Sequence, residues 1–77
     1  MPEYQYTIVL HPDAASGGYG VEVPALPGCF TQGHTREEAL ERAQEAIAAH
    51  LAGLVADGEP IPVERQHPEL ATVRVAA

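Results

Sequence analysis

"TREEALERAQEAIAAHLAGLVADGEP", residues 35–60, is the stretch on which the fold turns. Leu40, Ala43, Ile47, Leu51 and Leu54 recur at the three-to-four spacing that lines one side of a helix. Glu37, Glu41, Arg42 and Glu45 fall mainly away from that stripe. Thr35 followed by Glu38 has the capping-box form, in which each side chain satisfies a free amide of the first turn. Gly58 stands where a left-handed C-terminal cap belongs, and Pro60 keeps the helix from continuing. Start, stop and periodicity agree on a helix over residues 36–57.

Upstream, the period changes from helical to alternating. In "YQYTIVL", residues 4–10, Tyr4, Tyr6, Ile8 and Leu10 share one face of a strand and Gln5, Thr7 and Val9 the other. "HPDAASGG" supplies turn chemistry, and "YGVEV", residues 19–23, alternates again, so the two strands read as a hairpin. "PALPG" then breaks the chain, and "CFTQ", residues 29–32, is long enough for a short third strand. In this break Pro24 and Pro27 end strand pairing, Gly28 allows a reversal, and Gly33 permits a change of direction before Thr35. Downstream of the helix, the proline-rich "GEPIPVERQHPE" is a linker. "LATVRVAA", residues 70–77, offers a last strand, with Ala71, Val73 and Val75 alternating against Thr72 and Arg74. The expected architecture is α+β, in the order β-β-β-α-β: an antiparallel sheet with one helix packed on one face, in a single domain over residues 1–77. The second sheet face is left to solvent or to a partner.

With 77 residues, a chain buries only roughly 60% of the surface exposed on unfolding, which favours oligomerisation. Eleven acidic residues face four scattered arginines (Arg36, Arg42, Arg65 and Arg74) and no lysine, for a formal charge of −7. Phosphate backbones need clustered cations, so nucleic acid is not an expected ligand. An acidic surface suits a basic protein, whose encounter it accelerates, and it also keeps a small protein soluble. A single cysteine fits a reducing compartment. The N-terminus carries no basic leader, and no run approaches the roughly 20 apolar residues of a membrane span. A cytoplasmic protein is expected.

Catalytic constellations are weak. Cys29 would need a base or a positive environment, and His34, the only base near it in sequence, is separated from it by most of a strand. Cys29 reads better as a small buried hydrophobe, and a Cys29 hydrolase is the least favoured reading. His11, His34, His50 and His67 show no metal-ligand spacing, and His50 beside the apolar stripe suits a core edge or an interface. Glu37 and Glu38 sit where a helix dipole favours negative charge. Gly17, Gly18 and Gly20 are followed by no phosphate-loop lysine. The expectation is a protein that is not an enzyme and holds no cofactor or metal.

Jointly, these pieces resemble the N-terminal domain of HicB-family antitoxins and small standalone proteins related to it. The resemblance rests on Gly18 and Tyr19, on Pro24, Leu26, Pro27, Gly28 and Cys29, on Gln32, Gly33 and Thr35, on Glu37, Glu38 and Ala39, and on "DGEPIP", residues 57–62. It covers roughly residues 4–75. It implies a reduced RNase H-like β-β-β-α-β fold, assembly into dimers or tetramers, and neutralisation of a small basic HicA-type toxin that cleaves mRNA. Many members carry a further C-terminal DNA-binding domain; the chain stops at Ala77, so none is expected here, nor is direct operator binding. "HPDAAS" is less acidic than that loop often is in the family, and His34 stands where an Asp is frequent. Glu37, Glu41 and Glu45 are the candidate partner-binding residues, steering encounter with the toxin. The alternative is an orphan oligomeric structural or small-ligand-binding protein without a toxin.

Overall fold

The computed structural model describes residues 3–77. Strands β1 (Val9–Pro12), β2 (Tyr19–Glu22) and β3 (Phe30–Gly33) form an antiparallel sheet in the order β1-β2-β3, and helix α1 (Arg36–Ala56) follows. Val9 is opposite Glu22 and Leu10 opposite Val21 across the first pair; Val21 is opposite Thr31 across the second. The α+β class and the first four expected elements are therefore present.

Alternation sorts the side chains. Val21 forms a buried cluster with Ala39 and Ala43 of α1, and Ile8, Leu10 and Tyr19 pack against it. Val23, Leu26 and Cys29 form a second cluster, bounded by Tyr6, Ile8, Ala46, Ile47 and Leu51. The two meet at Ile8. The alternate positions Val9, His11, Glu22, Phe30 and Gln32 belong to the opposite side, where Phe30 is 67% exposed.

The helix begins and ends as its sequence dictates. Thr35, extended at φ −130° and ψ 167°, accepts a hydrogen bond from the Glu38 amide. Glu38 does not close the expected box on Thr35: its Oε1 accepts from the His34 amide, one residue earlier, at 2.9 Å, and lies 3.0 Å from the His34 ring Nδ1. One oxygen meets two groups of the same residue, which outcompetes the single Thr35 amide. At the other end Gly58 adopts φ 69°, with Gly58 N–H donating to Val55 O and Glu59 N–H to Leu54 O, the paired bonds of a Schellman cap.

Helix α1 meets the sheet at close range at Gly33, whose role differs from the expected bend. Its φ is not positive. A Cβ there would lie 2.4 Å from the Ala39 amide nitrogen and 2.7 Å from its Cα, so glycine is required by close approach. This contact moves the centre of the buried stripe from the leucines to Ala39 and Ala43, the two fully buried helix residues. Leu40 is left at the margin, 36% exposed, and Ile47 and Leu51 are half-buried.

Two strand expectations are corrected. β1 starts at Val9 rather than Tyr4, because the register would set Thr7 opposite Pro24, which has no N–H to give. Residues 62–68 run past this position instead: Glu64 Oε1 accepts from the Thr7 amide at 2.7 Å, and the Tyr6 hydroxyl donates to Pro62 O at 2.6 Å. The last strand, expected over residues 70–77, is not formed within the chain. Among the described residues no hydrogen bond reaches this segment, and an extended segment without a ladder partner is not a strand.

Candidate functional site

The "PALPGC" segment folds as a tight knot under the sheet. Leu26 N–H donates to Val23 O at 3.0 Å, Cys29 N–H to Leu26 O at 3.0 Å, and Val23 N–H to Cys29 O at 3.2 Å. Gly28, at φ 85°, supplies the reversal, and Leu26 is driven fully inside. Cys29 is buried with it, and burial pushes its thiol above the ordinary range. Its neighbours in the cluster are apolar, and His34 is exposed beyond the far end of β3. Among the described residues its cluster holds no base to generate a thiolate, and Cys29 packs as the small hydrophobe that the sequence indicates.

The histidines separate. His11 lies 3.1 Å from Glu22 across the β1–β2 pair, and His34 lies 3.0 Å from Glu38. His67 contacts Glu64, whose Oε2 also accepts from the Thr7 hydroxyl at 2.6 Å. These contacts hold both Glu38 and Glu64 below the usual glutamate range. For Glu38 the main cause is the His34 amide, then its ring; for Glu64 it is the Thr7 hydroxyl, then the Thr7 amide. His50 is half-buried on α1. Among the described residues no three His, Cys, Asp or Glu side chains gather as a metal site would require. Nor is any helix long and apolar enough to cross a membrane.

Two surface features remain. Glu37, Glu41 and Glu45 are all exposed on α1, four residues apart, forming one acidic ridge. Arg42 reaches Glu45 at 3.0 Å and neutralises part of its C-terminal end. Beside the ridge lies a broad groove of about 820 Å³ between the helix flank and the N-terminal run into β1. Leu40, Ile47 and Leu51 form its helix wall, Tyr6 and Ile8 its sheet wall, and Glu64 and His67 of the segment after the helix also line it. The backbone of α1 runs over β3 and β2, and β1 reaches the helix only through side chains such as Leu10, which leaves this side open. The ridge is readable from the sequence and the groove is not. The one local sign of it is Leu40, a leucine of the apolar stripe that ends up at the surface.

The chain is thus an α+β unit with one buried thiol, an acidic ridge and an apolar groove. Residues 6–74 match the family described as the HicB_like antitoxin of bacterial toxin-antitoxin system, and the chain belongs to that family. A UPF0150 protein of Thermoplasma acidophilum is 48% identical over 69 residues, which are 90% of this chain and 96% of the relative. A UPF0150 protein of Synechocystis is 41% identical over 61 residues, 79% of this chain and 76% of the relative. Antitoxin HicB 1 of Photorhabdus laumondii is 42% identical over 59 residues, 77% of this chain but only 37% of that protein.

Proposed function

We infer that this protein is the antitoxin partner of a small basic HicA-type ribonuclease, which it neutralises by covering the active site. Membership of the HicB-like family supports this reading most directly. In this reading the fold is a reduced RNase H-like one, and the protein acts without catalysis or cofactor, as a cytoplasmic homo-oligomer. Glu37, Glu41 and Glu45 supply long-range attraction to a basic toxin, while buried apolar contact supplies most of the affinity.

The experiment is co-expression with any small basic protein encoded beside this one, followed by co-purification and an RNA-cleavage assay. A stable complex in which cleavage is silenced supports the reading; failure to associate with an active toxin of this kind removes it. Within a complex, reversing all three carboxylates (Glu37→Lys, Glu41→Lys, Glu45→Lys) should slow association roughly tenfold at low salt, with the difference shrinking as salt rises. A salt-independent rate would take the ridge out of the encounter.

A further inference from the structure

Two segments of the chain lack a backbone ladder of their own and are held by each other. Residues 4–7 lie ahead of β1, and among the described residues they make no backbone-to-backbone hydrogen bond. Residues 60–68 make none either, and Pro60, Pro62 and Pro68 among them have no N–H to give. Side-chain contacts join the two. The Tyr6 hydroxyl donates to Pro62 O at 2.6 Å, and Glu64 accepts from the Thr7 amide at 2.7 Å and from the Thr7 hydroxyl at 2.6 Å. His67 contacts the same Glu64 oxygen as that hydroxyl, from which it lies 3.1 Å away.

The bond from the Thr7 amide to Glu64 takes the place of a ladder bond. Asp13 N–H donates to Gly18 O and Val9 is opposite Glu22, so by antiparallel alternation positions 7, 9, 11 and 13 direct their N–H groups towards β2. The position opposite Thr7 falls to Pro24. Instead of a strand residue, the Glu64 carboxylate receives the Thr7 N–H, brought in by a segment that borders a small cavity with Pro24 and Ala25.

This seat is all or none. The Glu64 side chain is 4% exposed. A carboxylate buried this far is stable only with its donors in place, so when Thr7 withdraws, Glu64 moves out to water. The groove depends on the same seat. Tyr6 and Thr7 line it from the N-terminal run and Glu64 and His67 from the segment after the helix, whereas its other wall stands on α1. Tyr6 also packs against the Val23–Leu26–Cys29 cluster, and it is carried there by a run that no ladder holds.

We propose that residues 62–67 are a releasable strap that gates the groove: seated, they hold residues 4–7 in place as its wall, and released, they let both segments leave together while β1–β3 and α1 stay folded. By linkage, a ligand resting on this wall holds the strap down, and an event that frees the strap dismantles the groove. The device is independent of the toxin reading, because it is a property of the chain alone.

Amide hydrogen exchange followed by NMR on the full chain tests this. In the wild type the Thr7 amide should exchange through a local opening, at least roughly tenfold faster than the core amides of Val21 and Ala43. Tyr6→Phe cuts the tie to Pro62 and leaves the Thr7–Glu64 bonds in place. If the strap moves as one unit, that variant should still speed exchange at Thr7, by roughly three- to tenfold, with Val21 and Ala43 unchanged. Glu64→Ala should go further, bringing Thr7 to the rate of an unstructured peptide and removing the ring contacts of Tyr6 with Val23 and Leu26. Should Glu64→Ala fail to fold, the wild type and Tyr6→Phe still decide. Wild-type exchange at Thr7 that tracks Val21 and Ala43 overturns the proposal, since the segment then opens only with the whole chain. So does an unchanged Thr7 rate in Tyr6→Phe, which would make the ties independent, or a folded Glu64→Ala variant in which Thr7 stays protected.

Discussion

Replacing Gly33 by alanine adds a single methyl group, and the structure fixes where it lands. The new Cβ would sit 2.4 Å from the Ala39 nitrogen, 2.7 Å from its Cα and 2.9 Å from the Glu38 carbonyl carbon. All three are backbone atoms of the first helical turn, so no side chain can rotate away. Relief requires about 1 Å of separation between β3 and α1, loosening the Val21–Ala39–Ala43 cluster. Overpacking of this kind costs about 1–3 kcal/mol, and the backbone clash places Gly33→Ala at the upper end. A chain of this length holds about 4–12 kcal/mol in all. At about 4–8 °C per kcal/mol, the melting temperature should fall by about 10–20 °C. The assay is thermal unfolding followed by helical circular dichroism, with both proteins at one concentration, since assembly shifts the midpoint. Gly53→Ala is the control: it lies in the helix interior, where an added methyl group meets nothing within 4 Å, and should stabilise by about 0.5–1 kcal/mol. A Gly33→Ala midpoint within about 3 °C of the wild type would refute the close-approach reasoning.

The knot and the paired side chains give further expectations. Leu26→Ala empties a fully buried site between Val23 and Cys29 and should cost about 2–5 kcal/mol, read from the urea midpoint; a loss under about 1 kcal/mol would mean that the knot is not part of the core. Glu38 and Glu64 titrate below the usual glutamate range in the folded chain, so their stabilisation is fully present above the unfolded value and disappears as pH falls through the folded values. Melting temperature should therefore drop on acidification below about pH 4.5, and the drop should be shallower in Glu64→Gln; an unchanged acid profile in that variant would remove Glu64 from the linkage. Cys29 should react slowly with iodoacetamide at neutral pH and rapidly in urea, because burial both shields the thiol and keeps it protonated; fast native labelling would contradict its placement.

Much of this arrangement is legible locally. Thr35 capping the helix and Gly58 terminating it are signals read within one turn, and both work as their chemistry dictates. The β1–β2 hairpin and the burial of Cys29 follow equally from short-range pattern. The acidic ridge is a matter of four-residue spacing alone. The groove is not legible, because it arises from where α1 lies across the sheet, and that depends on Gly33 meeting Ala39. Nor can alternation decide the late start of β1: whether Thr7 finds a ladder partner depends on Pro24, seventeen residues away, and on Glu64, much further off.

By itself, then, the sequence determined the helix and its two ends, the strand-forming segments, the turn chemistry and the acidic surface. Each depends on residues within a few positions of one another, where backbone preference and side-chain period act directly. Tertiary structure decided which strand-forming segments found partners. Residues 70–77 have the alternation of a strand yet pair with nothing among the described residues, while the β1 edge beside the groove has no further strand on it. A strand is completed by the backbone it meets, and alternation within one segment carries no information about where that backbone lies.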